Sequence, residues 1–145
     1  LYEAVLQVTE SLVADYGASG FMRERSGSIL PRIAPSNAYP CKDGDIVIGA
    51  NQDKVFSRFA EAIGRPEWAE DPKYKTHHAR GDRQAALDAL IGEWTRRHTV
   101  SEVDAIMSKA GVPAGPIYRP NQMLKDPQFL ARDGQRPAVD RGKPC

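Results

Sequence analysis

The sequence predicts an α+β fold: a short antiparallel sheet, made of one hairpin and one further strand, covered by helices. Three observations point to it. Asp43-Gly44 stands just before the apolar run Ile46-Val47-Ile48, a strong short-range hairpin signal. Three later stretches repeat their apolar residues every three or four positions, the period of a half-buried helix. Ile117-Tyr118 lies between prolines, as a short strand bounded by turn residues does.

The chain opens LYEAVLQVTESLVADYGASG, in which Leu1, Val5, Val8, Leu12 and Tyr16 form one apolar stripe, with Glu3, Gln7, Glu10 and Asp15 on the polar side. No capping residue precedes Leu1, so this is read as a helix whose start lies upstream. GASGFMRERSGSILPRIAPS has glycine, serine and proline without a sustained period and reads as a linker or an ordered crossing loop. In the hairpin that follows, Gly44 is expected to supply the positive φ of a tight turn. Asn51 is expected to cap a helix through Ile63 that buries Val55, Phe56, Phe59, Ala60 and Ile63, with Gly64 as its left-handed stop. RPEWAEDPKYKT, broken twice by proline, is read as a helical turn followed by an extended link. A second helix runs from Asp82 to Arg97 with Ala86, Leu87, Leu90, Ile91 and Trp94 inside. Thr99 and Glu102 form a capping box, each satisfying a free amide of the other. The helix they open carries Val100, Val103, Ile106, Met107 and Ala110 and closes at Gly111. Beyond the strand at 117–118, Asn121 is expected to open one more turn at Met123 and Leu124, and 126–145 is read as turns.

Composition bounds the function. At 145 residues the chain holds one ordinary domain. Lys plus Arg number 20 against 19 Asp plus Glu, and a net charge of +1 argues against a broad nucleic-acid footprint. TRRHT and RERSGS are local basic spots, read as a helix end and a loop. Cys41 and Cys145 are too few and too distant for a disulfide framework, and with His77, His78 and His98 they do not complete a metal site. No apolar run approaches a membrane span, and a reducing cytoplasmic setting is the default reading.

Catalytic signatures are sparse. The sequence contains no Gly-x-Ser-x-Gly elbow, phosphate loop, His-Glu-x-x-His or dinucleotide fingerprint. KDGD reads as a hairpin turn because the later acidic positions of a calcium loop are missing. Glu70 and Asp71 beside a proline read as turn residues, His77 and His78 as solvent-facing or capping groups, and Trp68 and Trp94 as core aromatics.

The order of the pieces is more informative. LYEAVL, then APSNAYPCKDGDIVIGANQDKVFSRFAEAIGRPEWAEDPKYKTHHAR, then AGVPAGPIYRPNQMLKDPQFLAR resemble the family III CoA-transferases, which include formyl-CoA transferase, carnitine CoA-transferase and α-methylacyl-CoA racemase. The resemblance spans nearly all of the chain. It is strongest at the Asp-Gly hairpin, at GRPEWAEDPKYKT with Arg80 downstream, and at AGVPAGPIY followed by DPQFLAR. It implies a large α/β domain and a small α+β domain joined by long links, in two chains interlocked as a homodimer. On that pattern residues 1–20 are a helix of the large domain, 21–36 a linker, 37–120 the small domain and 121–145 a return linker.

The resemblance further implies CoA transfer from an acyl-CoA to a carboxylic acid, through anhydride and aspartyl-CoA thioester intermediates. The nucleophilic aspartate would lie a few positions upstream of Leu1, so this chain is assigned no catalytic residue and is expected to be inactive alone. Coenzyme A is a substrate, with no covalently bound cofactor and no metal; the partners are an acyl-CoA, a carboxylic acid and a second copy of the intact protein, without nucleic acid or membrane. The family's cover over the site corresponds here to LPRIAPSN, from which Arg32, Ile33, Ala34, Pro35, Ser36 and Asn37 are assigned to substrate binding. Pro31 and Pro35 are expected to make this loop stiffer than the glycine-rich loop of formyl-CoA transferase, which points away from formyl and oxalyl groups; a dicarboxylic or branched acyl substrate is what the resemblance to the wider APxNAY type of sequence implies. Arg32 has two readings: a bidentate contact to a substrate carboxylate, or a linker arginine paired to the neighbouring domain. The alternatives held open are an acyl-CoA racemase or epimerase of the same family and a non-enzymatic interaction module.

Overall fold

The computed structural model describes residues 2–8 and 12–131. A three-stranded antiparallel sheet runs in the order β1 (Ser36–Pro40), β2 (Asp45–Gly49), β3 (Ala114–Pro116). Tyr39 pairs with Ile46 and Asn37 with Ile48, while Ile46 and Ile48 pair onward with Pro116 and Ala114. Tyr39, Ile46 and Ile48 are buried on one face and Val47 is exposed on the other, the alternation of a half-covered sheet. The α+β class expected from the sequence is the one observed.

Helices cover the buried face: α3 (Asp53–Ala62), α4 (His77–Asp82), α5 (Gln84–Thr95) and α6 (Val100–Ala110), with a 3-10 turn at Pro66–Ala69. Phe56, Phe59 and Ala60 of α3 meet Leu87 and Ile91 of α5 and Val103 and Met107 of α6 in one core with the inner strand residues. Gly64 and Gly111 both end helices in the left-handed conformation, as expected. The Thr99–Glu102 capping box is present in both halves: Glu102 N–H donates to Thr99 Oγ1 at 3.2 Å and Thr99 N–H to Glu102 Oε2 at 2.7 Å. The opening stretch forms two helices, α1 (Tyr2–Val8) and α2 (Leu12–Ser19). Of their expected stripe, Leu1 lies outside the described residues and Tyr16 is exposed.

Several expectations are corrected. The hairpin loop comprises four residues, 41–44, closed by Cys41 N–H donating to Gly44 O at 2.7 Å, and Gly44 does not take a positive φ. Asp43 instead reaches across the fold, accepting from Val100 N–H at 2.8 Å. The position before α3 is Gln52, without a side-chain cap, and Asn51 stands one residue further out, its main-chain carbonyl accepting from Arg80. The helix expected over 82–97 is present as α5, Gln84–Thr95, with a separate short helix, α4, ahead of it, while Ala86 and Leu90 of the expected inner side are exposed. The link after Ala69 is folded, with Tyr74 and Lys75 both donating to Asp71 O. The third strand is displaced to 114–116, and Ile117 contributes only its N–H, to Asp45 O at 3.0 Å. Pro120 rather than Asn121 opens α7 (Pro120–Met123), and residues 127–131, read as turns, form α8 (Pro127–Ala131). Residues 132–145, with Cys145, lie outside the described ones.

The capping box generates a pH prediction. The backbone N–H and then the hydroxyl of Thr99 hold the Glu102 carboxyl below its usual value. A carboxylate whose pKa is lower folded than unfolded contributes stability above the unfolded value, and that contribution disappears as pH falls through the folded one. Urea unfolding between pH 7 and roughly pH 3 should therefore show a smaller acid-induced loss for Glu102→Gln than for wild type.

Candidate functional site

The segment that approaches the sheet is held by a buried charge. Arg80 of α4 is fully buried. Its Nε donates to Ala34 O at 3.1 Å, Nη1 to Tyr74 O at 2.8 Å, and Nη2 to Asn51 O and Asp53 Oδ1, both at 2.7 Å. The guanidinium carbon lies 4.4 Å from the Phe56 ring centroid. Burial of a cation is tolerable only when its donors are satisfied, and this fork joins the loop before β1, the β2–α3 connection and the link before α4. His77 Nδ1 also contacts Asn51 O, at 3.0 Å.

Next to this anchor, residues 30–33 form a turn in which Ile33 N–H donates to Leu30 O at 3.1 Å. Pro31 occupies its second position and Arg32 its third with φ 65°, where glycine or asparagine is usual. Gln84 holds the turn from the first position of α5: its Oε1 accepts from Arg32 N–H at 2.9 Å and its Nε2 donates to Leu30 O and Ile33 O, each at 3.0 Å. Gly81 lies so close beneath that a Cβ there would stand 2.4 Å from Arg32 O. Arg32 Nη2 pairs with Asp82 Oδ1 at 2.7 Å, with both side chains substantially exposed.

Of the six loop residues assigned to substrate binding, Ala34 and Pro35 are buried in the fold, and Pro35 O accepts from Ala50 N–H at 2.8 Å. Ser36 and Asn37 begin β1 and are half-buried. Asn37 donates to Asp88 Oδ2 at 3.1 Å and accepts from Ser28 Oγ at 2.5 Å, while Tyr39 donates its hydroxyl to Asp88 Oδ1 at 2.5 Å. Burial first, then the adjacent Asp88 carboxylate, pushes the Tyr39 phenol far above its usual value, so it stays a neutral donor.

Arg32 and Ile33 reach an open concavity of about 370 Å³, shared with Phe21, Arg23, Leu30 and Pro31. A lining of four apolar residues and two arginines suits an acid with a short hydrocarbon body. Arg23 Nη2 contacts Asp15 Oδ2 at 2.7 Å. The lining offers recognition of an anion and no nucleophile. The thiol of Cys41, away from this concavity, is raised by burial and by Asp43 and Asp45, which disfavours the thiolate.

The sequence assigned Arg32 and Ile33 to this region but not Phe21, Arg23, Gly81 or Gln84. Phe21 and Arg23 lie in a stretch without period, and the roles of Gly81 and Gln84 come from contacts some fifty positions away in the chain. Arg80 carries no sequence signal beyond its place downstream of the proline-broken segment.

The family model described as CoA-transferase family III matches residues 1–143. The chain belongs to CoA-transferase family III. It is 51% identical over 133 residues to succinyl-CoA–D-citramalate CoA-transferase of Chloroflexus aurantiacus, a match covering 91% of this chain and 33% of that protein. It is 33% identical over 133 residues to the alpha subunit of succinyl-CoA–L-malate CoA-transferase of the same organism, covering 91% of this chain and 31% of the relative. Among solved structures, a CAIB/BAIF family protein from Brucella suis superposes with a TM-score of 0.78 at 35% identity, covering 88% of this chain and 34% of that one. The chain thus spans about a third of the length of the family III relatives it matches.

Gly81→Ala tests the packing under the loop. The added methyl meets the Arg32 carbonyl, a backbone atom that cannot rotate away, and urea denaturation should show a loss of about 1–3 kcal/mol.

Proposed function

We propose that this chain supplies the linker and small domain of a CoA-transferase that moves CoA from an acyl-CoA to a carboxylic acid, with a dicarboxylate as the preferred acid. The observation that carries the acid class is the concavity beside the 30–33 turn, where Arg23 and Arg32 stand among apolar side chains. The relatives named for succinyl-CoA with D-citramalate or L-malate, all diacids, support the same class. The Arg32–Asp82 pair is solvent-exposed, and such pairs contribute only about 0–1 kcal/mol. Exchange of Asp82 for a substrate carboxylate therefore costs little, and a planar guanidinium can hold that carboxylate through two parallel hydrogen bonds. Ile33 contributes apolar wall, while Ala34, Pro35, Ser36 and Asn37 keep the loop seated on the sheet.

The nucleophile is an aspartate of the large domain, upstream of residue 1 in the full-length protein. It attacks the donor thioester carbonyl; the C–S bond breaks, CoA thiolate leaves, and a mixed anhydride forms. The thiolate attacks the aspartyl carbonyl, releasing the donor acid and leaving an aspartyl-CoA thioester. The acceptor carboxylate displaces the thiolate to form a second anhydride, and thiolate attack on the acceptor acyl carbon yields the new acyl-CoA and regenerates the aspartate. These intermediates hydrolyse if water reaches them, and the small domain forms part of their cover. We assign residues 1–20 to the large domain, 21–36 to the linker, 37–120 to the small domain and 121–145 to the return linker of an interlocked homodimer working in the cytoplasm, with CoA as substrate.

The test is a CoA-transfer assay on the full-length protein with Arg32→Ala. Wild type should transfer CoA from succinyl-CoA to a short diacid and yield a hydroxylamine-trapped aspartyl adduct. Arg32→Ala should raise KM for the diacid on the order of tenfold with kcat little changed. Exchange of the α-proton with deuterated solvent and no CoA transfer would contradict the proposal.

A further inference from the structure

Arg32 has a left-handed backbone, φ 65°, at the turn position where a glycine would sit without strain. A residue with a Cβ persists in that region only when its surroundings over-determine it. Gln84 does so with every polar atom of its amide. Its oxygen accepts from the Arg32 N–H, and its nitrogen donates to the carbonyls on both sides, Leu30 O and Ile33 O. Glutamate would face those two carbonyls with an acceptor, and asparagine is one methylene short. Gly81 closes the other side, leaving no room for the Arg32 carbonyl to turn inward.

From this we infer that Gln84 is a positioning residue for acid specificity: its side-chain amide holds the 30–33 turn that lines the concavity and so sets where Arg32 stands beside it, and the preference for a diacid over a monoacid depends on it. The inference rests on the reading of Arg32 as the carboxylate-binding group. Without the clamp the turn can relax to a negative φ at Arg32, which redirects the side chain while the buried anchor at Ala34 and Arg80 persists. The fold survives and the selectivity does not.

The test uses the full-length protein with succinyl-CoA as donor, comparing a short diacid, glutarate, with the monoacid butyrate as acceptors. Gln84→Ala should raise KM for glutarate on the order of tenfold, leave KM for butyrate within about twofold and leave kcat near wild type. Arg32→Gly, which takes the turn conformation freely but lacks the guanidinium, should give the same loss. The double variant should be no worse than Arg32→Gly, because the two changes remove one interaction. Should Gln84→Ala not fold, Gln84→Asn is read in the same way. A Gln84 variant that raises both KM values alike, or a double variant whose effect is the product of the single ones, overturns the inference while leaving the Arg32 reading intact. If Arg32→Gly keeps the diacid preference, the Arg32 reading falls and the inference with it.

Discussion

The arrangement depends on one buried cation. Arg80 occupies a place where an apolar side chain would pack without desolvation cost, and it is tolerated because its fork of donors meets three backbone carbonyls and the Asp53 carboxylate. None of those carbonyls is bonded within a strand or helix. They belong to three irregular segments, which is where backbone acceptors are otherwise hard to satisfy away from water. The same side chain is fully buried with its guanidinium over the core residue Phe56, so the core and the loops are fixed to each other through a single residue.

From that anchor the site follows outward. Ala34 is held by Arg80, Pro35 by Ala50, and Asn37 and Tyr39 by Asp88, so the chain enters the sheet along a fixed path. The 30–33 turn stands just outside this fixed path, held on one side by Gln84 and supported by Gly81. Rigid seating next to an exposed, weakly paired guanidinium is a suitable arrangement for recognising an anion: the geometry is prepared, while the group that makes the contact gives up little to make it.

Local signals in the sequence were the ones that could be read. The Thr99–Glu102 box, the left-handed stops at Gly64 and Gly111 and the alternation of Ile46, Val47 and Ile48 each depend on neighbours within a few positions. Longer-range contacts overrode them elsewhere. Asn51 has the composition of a helix cap, yet its carbonyl serves Arg80 and His77. Asp43-Gly44 signals a tight turn, but Asp43 caps the start of α6, which accompanies a wider loop. Helix α4 separates from α5 at Arg83, whose φ of -116° departs from helical values, and no proline or glycine at that position marks the break. In the site, Arg32 was recognisable by its charge and setting, whereas Gln84 looks like any polar residue on a helix until its partners are known.

The most direct measurement of Arg80's role is amide hydrogen exchange on the full-length protein carrying Arg80→Met, which keeps the apolar stem and removes the donors. Loss of the fork takes the donor away from the carbonyls of Ala34 and Tyr74 in a dry setting, each at about 1–3 kcal/mol, and leaves Asn51 O its contact with His77. The account predicts a joint loss of protection at Ile33, Ala50 and Tyr74, three segments far apart in the chain, with the capping box at Thr99 and Glu102 still protected. Unchanged exchange at these amides, or a change confined to the neighbourhood of Asp53, would contradict it.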